Sequence, residues 1–595
     1  MNDLHKLDLP EAGGNRRMGW VSDVAAEMLR RLGIRYVALN PGASYRGLHD
    51  SLVNYLGNRD PQMLLCLHED HPIAIAHGYA KVTGEPMAAV VHSNVGLMHG
   101  LMSVFNAWCD RMPVYLLGAT GPVDAARRRP WIDWIHTAKD QGALLRNFTK
   151  WDDEPRSAEA LVEAMLRGAV MARTPPRGPV YLCLDAGLQE SELAEPLEIP
   201  DVSRFAPGEP QAASPEAVER AADLMLAAKS PVVLFGRMSR SQADWDARRR
   251  LAELLGAGVL TDIKTAATFP TDHPLHVGAP ALWPREDRNA ALREADAVLS
   301  LEWVDLDGAF KSAKLGKDVT AKVIACGVDI HAHNGWSMDY FGLAPSDLTV
   351  HADPDRFVAQ LLPVIEARLD GKPRWTGPAA APAAAAPPDK PDKPDGAPIE
   401  PMDIARALSA ARERYSLTLT RVTLGWDGAA YPFREPLDYT GHDGGAGLGG
   451  APGITIGVGL ALKGTGRLAV AVMGDGEFMQ GVSALWTAAR YEIPALFVIA
   501  NNRSNFNDEI HQEATARARG RPAENRWIGQ RIDDPPIDNA GLARAQGIEA
   551  EGPVETWGAL APAIEAGLAA VADGRPYLID VRIEPGYSTP LVTRG

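Results

Sequence analysis

Short apolar runs alternate with amphipathic stretches along most of the chain, the pattern of strands followed by helices in a parallel α/β sheet. In the first part, residues 34–39, 63–68, 87–92, 114–118 and 180–184 read as buried strands, with helices expected at 45–56, 71–83 and 96–108. A second block opens near Pro215, with a strand at 231–235 and a helix at 241–255, and closes near Leu369. Residues 371–398 break the alternation, being mostly Ala, Pro, Asp and Lys, the makeup of a semi-extended linker. A third block follows, with its clearest strands at 468–473, 495–500 and 577–583. The expected fold class is α/β, with three consecutive domains at 1–190, 210–368 and 399–595 and a linker at 369–398. Each domain is expected to hold a mainly parallel sheet flanked by helices.

A length of 595 residues is several times what one core supports, which agrees with three domains. The formal net charge of -16 argues against a nucleic-acid scaffold, because neutralising phosphates needs clustered Lys and Arg. The one basic run, Arg127-Arg128-Arg129, is short and precedes Pro130, as in a solvated loop or an anion contact. No apolar run reaches the length of a bilayer span, and the first residues are polar. Cys66, Cys109, Cys183 and Cys326 lie far apart, mostly in apolar stretches, and read as reduced core residues. A soluble, cytoplasmic protein without nucleic-acid or membrane partners is expected.

Chemistry concentrates in a few places. The apolar run at 468–473 ends in Gly474-Asp475-Gly476, a helical pattern follows at 482–491, and a second apolar run leads into Asn501-Asn502. In a right-handed βαβ unit both strand ends open on the same sheet edge, so Asp475 and Asn502 meet where ligands of open α/β sheets sit. A carboxylate, an amide oxygen and a backbone carbonyl, completed by diphosphate and water oxygens, suit octahedral Mg2+. Gly474 and Gly476 leave room for phosphates, and the helix N-terminus adds its dipole. Taken singly, Gly-Asp-Gly is an ordinary turn and Asn-Asn an ordinary loop; the pair at this spacing between two strands is not.

A second group lies in the first domain. Glu69 ends an apolar run and is followed by a helix containing Gly78-Tyr79-Ala80-Lys81. The loops Asn40-Pro41-Gly42-Ala43-Ser44 and His92-Ser93-Asn94-Val95-Gly96 leave the same edge and line one crevice with Glu69. His92 is a candidate proton shuttle, because imidazole titrates near neutrality; a capping or buried structural histidine is the alternative. His68, His71 and His77 lack the HExxH spacing of a zinc helix. The glycine-dense stretch at 444–450, which includes Gly447 and Leu448, allows a backbone to wrap a flat ring, or simply to flex.

Together these motifs resemble the thiamine-diphosphate-dependent enzymes of the acetolactate synthase and 2-oxo acid decarboxylase family. The similarity spans nearly the whole chain, in the order pyrimidine, middle and diphosphate domains. Local motifs at 483–502, at Val91-His92-Ser93 and at Asn106-Ala107-Trp108 are similar to benzoylformate decarboxylase. The resemblance implies thiamine diphosphate and Mg2+ as cofactors, with Asp475 and Asn502 as side-chain metal ligands and Ser504 as carbonyl ligand. It implies Glu69 against the aminopyrimidine, Leu448 as a wedge under the bent cofactor, and cofactor contacts at Asn40, Pro41, Gly42, Gly447, Gly474 and Gly476. His92 falls on a catalytic histidine. The implied reaction is decarboxylation of a 2-oxo acid, with an aromatic leaning, or ligation of the product to a second carbonyl compound. Sites at the interface of a homodimer or homotetramer are implied too.

Three departures bear on substrate choice, because the site and not the fold decides it. Ala43 stands where the decarboxylase has serine, with Ser44 one position later. No second histidine shows near residues 301–310, and residues 503–531 form an unfamiliar polar segment expected to act as a lid. Two rival readings are a flavin-linked oxidase, for which Gly236 and Gly256 hint weakly at FAD, and a catalytically silent subunit.

Overall fold

The computed structural model describes residues 8–11, 17–281, 285–328, 342–377, 393–426 and 428–586. Its first sheet contains β1 (Tyr36–Leu39), β2 (Gln62–Leu65), β3 (Met87–Val90), β4 (Val114–Thr120), β5 (Trp151–Asp153) and β6 (Val180–Asp185), in the order β2-β1-β3-β4-β6-β5. The second contains β7 (Pro231–Phe235), β8 (Gly258–Thr261), β9 (Ala297–Leu301), β10 (Lys322–Gly327) and β11 (Leu348–His351), in the order β11-β10-β9-β7-β8. The third contains β12 (Ser416–Arg421), β13 (Arg467–Gly474), β14 (Leu496–Asn501), β15 (Glu549–Val554) and β16 (Tyr577–Arg582), in the order β12-β13-β14-β16-β15. Every pairing within the three sheets is parallel, as strands buried on both faces by crossover helices require. The expected fold class is therefore the observed one.

Local differences have local causes. The stretch expected as one helix at 45–56 is a 3-10 turn (Ala43–Tyr45), a short α-helix (Arg46–Asp50) and a π turn (Ser51–Tyr55). In this irregular stretch Ser51 Oγ donates to Asp23 Oδ1 and accepts from Ser22 Oγ, both at 2.8 Å, which ties the segment to the helix Val21–Arg31. Half of the linker, residues 378–392, lies outside the described residues.

The first and third units share one core, because two helices approach almost backbone to backbone. A Cβ on Gly78 would stand 2.0 Å from the Ile454 carbonyl oxygen, and one on Gly457 would stand 2.0 Å from that of Ile75. Glycine at these two positions is what lets helix Asp70–Thr83 cross helix Ala451–Leu462. Beside the crossing, buried Lys81 pairs with Asp110 and donates to the His442 carbonyl at 2.7 Å. The Gly-Tyr-Ala-Lys sequence thus serves domain packing. The four cysteines are free, and no helix of the described residues is long and apolar enough to cross a membrane.

Candidate active site

β13 delivers Gly474 to the sheet edge, and helix Asp475–Gly481 begins at once, seven residues earlier than the apolar pattern indicates. Register pairs Gly474 with Ala500 on β14, so Asp475 and Asn502 leave neighbouring strand ends. The Asp475 side chain is buried, and its Oδ1 has no hydrogen-bond partner. Burial pushes its carboxyl up to about 6, with nearby Asp580 acting the same way, although the backbone N–H groups of Asp475, Gly476 and Asn502 favour the charged form. A cation would relieve this unsatisfied oxygen. Asn502 Oδ1 accepts from the Ser504 N–H at 3.0 Å, which holds the amide oxygen in a fixed turn. Nothing lies within 4 Å of where a Cβ on Gly474 would be, so a diphosphate has space there. Gly476 is more closely approached, since a Cβ there would displace the Asn505 side-chain amide, whose Oδ1 would lie 2.8 Å away. These residues fit Mg2+ and a diphosphate.

Glu69 stands four residues beyond β2, as the N-cap of helix Asp70–Thr83 and not at a strand end. Its Oε2 meets His99 Nδ1 at 3.0 Å, and Gly96 leaves room for its stem, where a Cβ would lie 3.1 Å from Glu69 Cγ. His99 carries no sequence signal of its own beyond lying seven residues after His92. Its ring also stacks on His68, and His68, Glu69 and His99 come within 4.8 Å of one another. Of the other two histidines of the zinc reading, His71 stands beside His68, with ring centroids 5.4 Å apart, but meets Ser483 Oγ at 2.8 Å, and His77 meets Asp110 at 2.8 Å.

His92 caps helix Ser93–Cys109 and is pressed by Gly42, whose Cβ would stand 2.3 Å from His92 Cβ. Ser44 Oγ lies 2.8 Å from His92 Nδ1 while accepting the Ser93 N–H, and the Ser44 N–H also points at Nδ1. Nδ1 is therefore assigned as acceptor, leaving the proton on Nε2. Ser44 thus orients the histidine, from one position after Ala43. Burial lowers His92 to about 4, the charges of His136 and Arg129 add to this, and Glu69 opposes it. Asn40 donates its side-chain amide to the Cys66 carbonyl at 3.1 Å, tying the Asn40-Pro41-Gly42 loop to the segment that leads to Glu69.

Gly447 is gripped by Asn106, which donates to its carbonyl and accepts from its N–H, both at 3.2 Å. The grip leaves Leu448 projecting, 47% exposed. Below the loop, Arg421 joins Glu477 at 3.0 Å and Asp443 at 3.5 Å. In the polar segment after Asn502, Ser504 bridges antiparallel to Arg531, and helix Phe506–Ala518 rises from this closed neck with Trp527 and Ile528 exposed. Ser504 Oγ donates to buried Glu509, which also faces Arg526 and Arg531. The basic run is used internally: Arg128 donates to the Pro122 and Val123 carbonyls, and Arg129 pairs with Asp133.

The two glycines offered for FAD have backbone explanations. Gly256 is the left-handed C-cap of helix Gln242–Leu255, and a Cβ on Gly236 would collide with the Glu302 carbonyl at 1.9 Å. A cavity of about 180 Å³ in this unit, lined in part by Asp262, Arg288 and Trp303, is smaller than the roughly 300 Å³ at which drug-sized ligand sites begin. Neither feature favours a flavin.

Two parallel sheets that bring a metal-ready carboxylate and a glutamate–histidine crevice to their carboxyl edges define an α/β enzyme working through a diphosphate-bearing cofactor. Family models agree: residues 19–144, 218–306 and 423–581 match the N-terminal TPP binding, central and C-terminal TPP binding domains of thiamine pyrophosphate enzymes, together more than half of the chain. The chain belongs to the thiamine pyrophosphate enzyme family. It is 24% identical to a benzoylformate decarboxylase of Pseudomonas aeruginosa, over 96% of this chain and 100% of that one. It is 23% identical to an acetolactate synthase large subunit of Lactococcus lactis, over 84% and 82% of the two chains. The solved structure of a benzoylformate decarboxylase from Polynucleobacter necessarius matches with a TM-score of 0.77 at 19% identity, over 96% of this chain and 100% of that one.

Proposed function

We propose that this enzyme removes carbon dioxide from a 2-oxo acid and either protonates the product or joins it to a second carbonyl compound. Both relatives support this, since benzoylformate is a 2-oxo acid and acetolactate is the product of such a joining. The aromatic leaning rests on the first likeness. When bound, thiamine diphosphate supplies a carbanion that adds to the 2-oxo carbonyl and accepts the electrons left by carbon dioxide. The observation that carries the reading is His92, neutral, oriented by Ser44, and facing the same crevice as Glu69.

Each side chain then has a task. Asp475 and Asn502, with the Ser504 carbonyl, would hold Mg2+ beside the space that Gly474 leaves for a diphosphate. Glu69 would exchange a proton with the aminopyrimidine ring, and the projecting Leu448 would support the cofactor. His92 donates its Nε2–H to the substrate. The segment at 503–531 closes over the site. Leu67, Val95, Met98, Met102 and Leu448 form an exposed apolar surface around these groups, with Val95, Met98 and Met102 on one helix face. A second copy of the chain covers it in this reading, as a symmetric dimer or dimer of dimers sharing sites at the interface. The free cysteines accord with a reducing cytoplasm.

The test is a product screen over aliphatic and aromatic 2-oxo acids, with and without an acceptor aldehyde, in thiamine diphosphate and Mg2+. Carbon dioxide release matched by aldehyde or ligated product is expected. No release from any 2-oxo acid by protein that binds the cofactor contradicts the reading.

A further inference from the structure

Two helices meet at Glu69 closely enough to put an imidazole on either side of it. Helix Asp70–Thr83 starts there, and helix Ser93–Cys109 lies against that start along Gly96 and Gly100. A Cβ on Gly96 would stand 3.1 Å from Glu69 Cγ, and one on Gly100 would stand 3.3 Å from the Glu69 carbonyl oxygen and 2.5 Å from Ile73 Cδ1. Glycine at both positions admits the approach. One turn further along, the Ser103 N–H donates to Asp70 Oδ1 at 3.2 Å and locks the contact. His99 rides on this helix to Glu69, its Nδ1 3.0 Å from Oε2. His68 arrives from the chain entering the other helix: its Nδ1 accepts the Asp70 N–H at 3.1 Å and its carbonyl accepts the His71 N–H at 3.2 Å.

A pairing with Glu69 accounts for His99 but not for His68. Both rings are exposed, yet His68 lies face to face with His99, centroids 5.3 Å apart and planes within 12°, rather than turned to water. One ligand atom from each of His68, Glu69 and His99 lies within 4.8 Å of the others. Two imidazoles and a carboxylate are the donor set of a three-ligand zinc site, which keeps a fourth position for water or another ligand. Zinc bonds of about 2.0 Å set neighbouring ligand atoms roughly 3.3 Å apart, so Glu69 and His99 already stand near that spacing and only exposed His68 has to swing inward. Imidazole nitrogens also select Zn2+ over Mg2+, which takes oxygen donors.

We propose that His68, Glu69 and His99 form a Zn2+ site whose occupation excludes the cofactor. With the ion bound, the Glu69 carboxylate is no longer open to an aminopyrimidine ring, so zinc and thiamine diphosphate compete for one side chain. As the ion takes the place of the proton between His99 and Glu69, that proton moves to His99 Nε2, and the Asp70 N–H gives up its acceptor on His68. The exclusion rests on the role assigned to Glu69 in the proposed function; the metal site rests on the three side chains alone.

Two readouts test this. Zn2+ is titrated by calorimetry into cofactor-free protein carrying Asp475→Ala, so that the clamp takes no part. His68→Ala and His99→Ala, added singly, are each expected to weaken Zn2+ binding by at least about tenfold, the smallest loss seen when a metal site loses a supporting group. In the wild type, 15N-histidine signals of His68 and His99 are expected to shift on adding Zn2+ to cofactor-free protein, and to stay in place once thiamine diphosphate and Mg2+ saturate it. Thermal melts within a few degrees of the parent confirm that the variants fold. No Zn2+ binding, an affinity left unchanged by one or both substitutions, or rings that still take Zn2+ in the cofactor-loaded protein overturns the proposal. If the zinc results are as expected but the protein turns over no 2-oxo acid, the decarboxylase reading falls and the zinc site stands.

Discussion

The two halves of the site are built on different principles. Asp475 and Asn502 leave adjacent ends of β13 and β14, one βαβ unit whose handedness and register fix where they meet. Glu69 caps one helix, Ser44 lies in a 3-10 turn, and His92 caps the helix that carries His99, so their meeting depends on how loops and helices of the first sheet pack. A binding clamp can be set by topology alone. A proton-handling crevice needs tertiary support at every member.

The comparison predicts the largest loss on the clamp side. Asp475→Ala removes the buried carboxylate that nothing else in the site replaces, and calorimetry should show Mg2+-dependent thiamine diphosphate binding weakened by at least about 100-fold. Unchanged binding would mean that the metal sits elsewhere. Next in size, Met98→Glu puts a charge in the apolar face that the proposed dimer buries. Sedimentation should show subunit association weakened by about 100-fold, the scale of an uncompensated buried charge, and an unaltered oligomer would move the interface away from this helix.

The same contrast explains what was legible beforehand. The fold class, the three sheets and the adjacency of Asp475 and Asn502 follow from apolar periodicity and one spacing, because a parallel sheet converts chain order into position. The Glu69 crevice was visible in outline, since its loops follow strands. The Ser44–His92 contact was not, because a serine displaced by one position looks like a loss until the 3-10 turn at Ala43–Tyr45 swings it under the ring. His136, whose ring centroid stands 4.5 Å from that of His92, was invisible for a stronger reason. It lies in a segment with no regular periodicity, placed by Arg129–Asp133 and Gly121 rather than by any strand.

Smaller effects sharpen the crevice side. Ser44→Ala removes the hydrogen bond that fixes the His92 tautomer and should lower kcat about tenfold, in line with one modest hydrogen bond, with cofactor affinity kept. Full activity would show that the tautomer is set otherwise. Smallest is a pH effect on stability. Burial holds His71 and His276 down to about 3 in the folded chain, against an ordinary 6.5 when unfolded. Between these values the unfolded state binds protons that the folded state does not, so stability falls as pH drops below 6.5, by about 1.4 kcal/mol per pH unit for each histidine at most. Thermal melts across pH 7.5 to 4.5 should show this slope, and a His71→Gln, His276→Gln double variant should flatten it.

The account stands on the two halves acting on one cofactor, and Glu69→Gln reads that directly through deuterium exchange at C2 of bound thiamine diphosphate. The variant should still bind cofactor and Mg2+ through Asp475 and Asn502, while exchange slows about 100-fold or more for want of the carboxylate. Exchange at the wild-type rate would show that Glu69 does not activate the cofactor, and the two halves would not form one site.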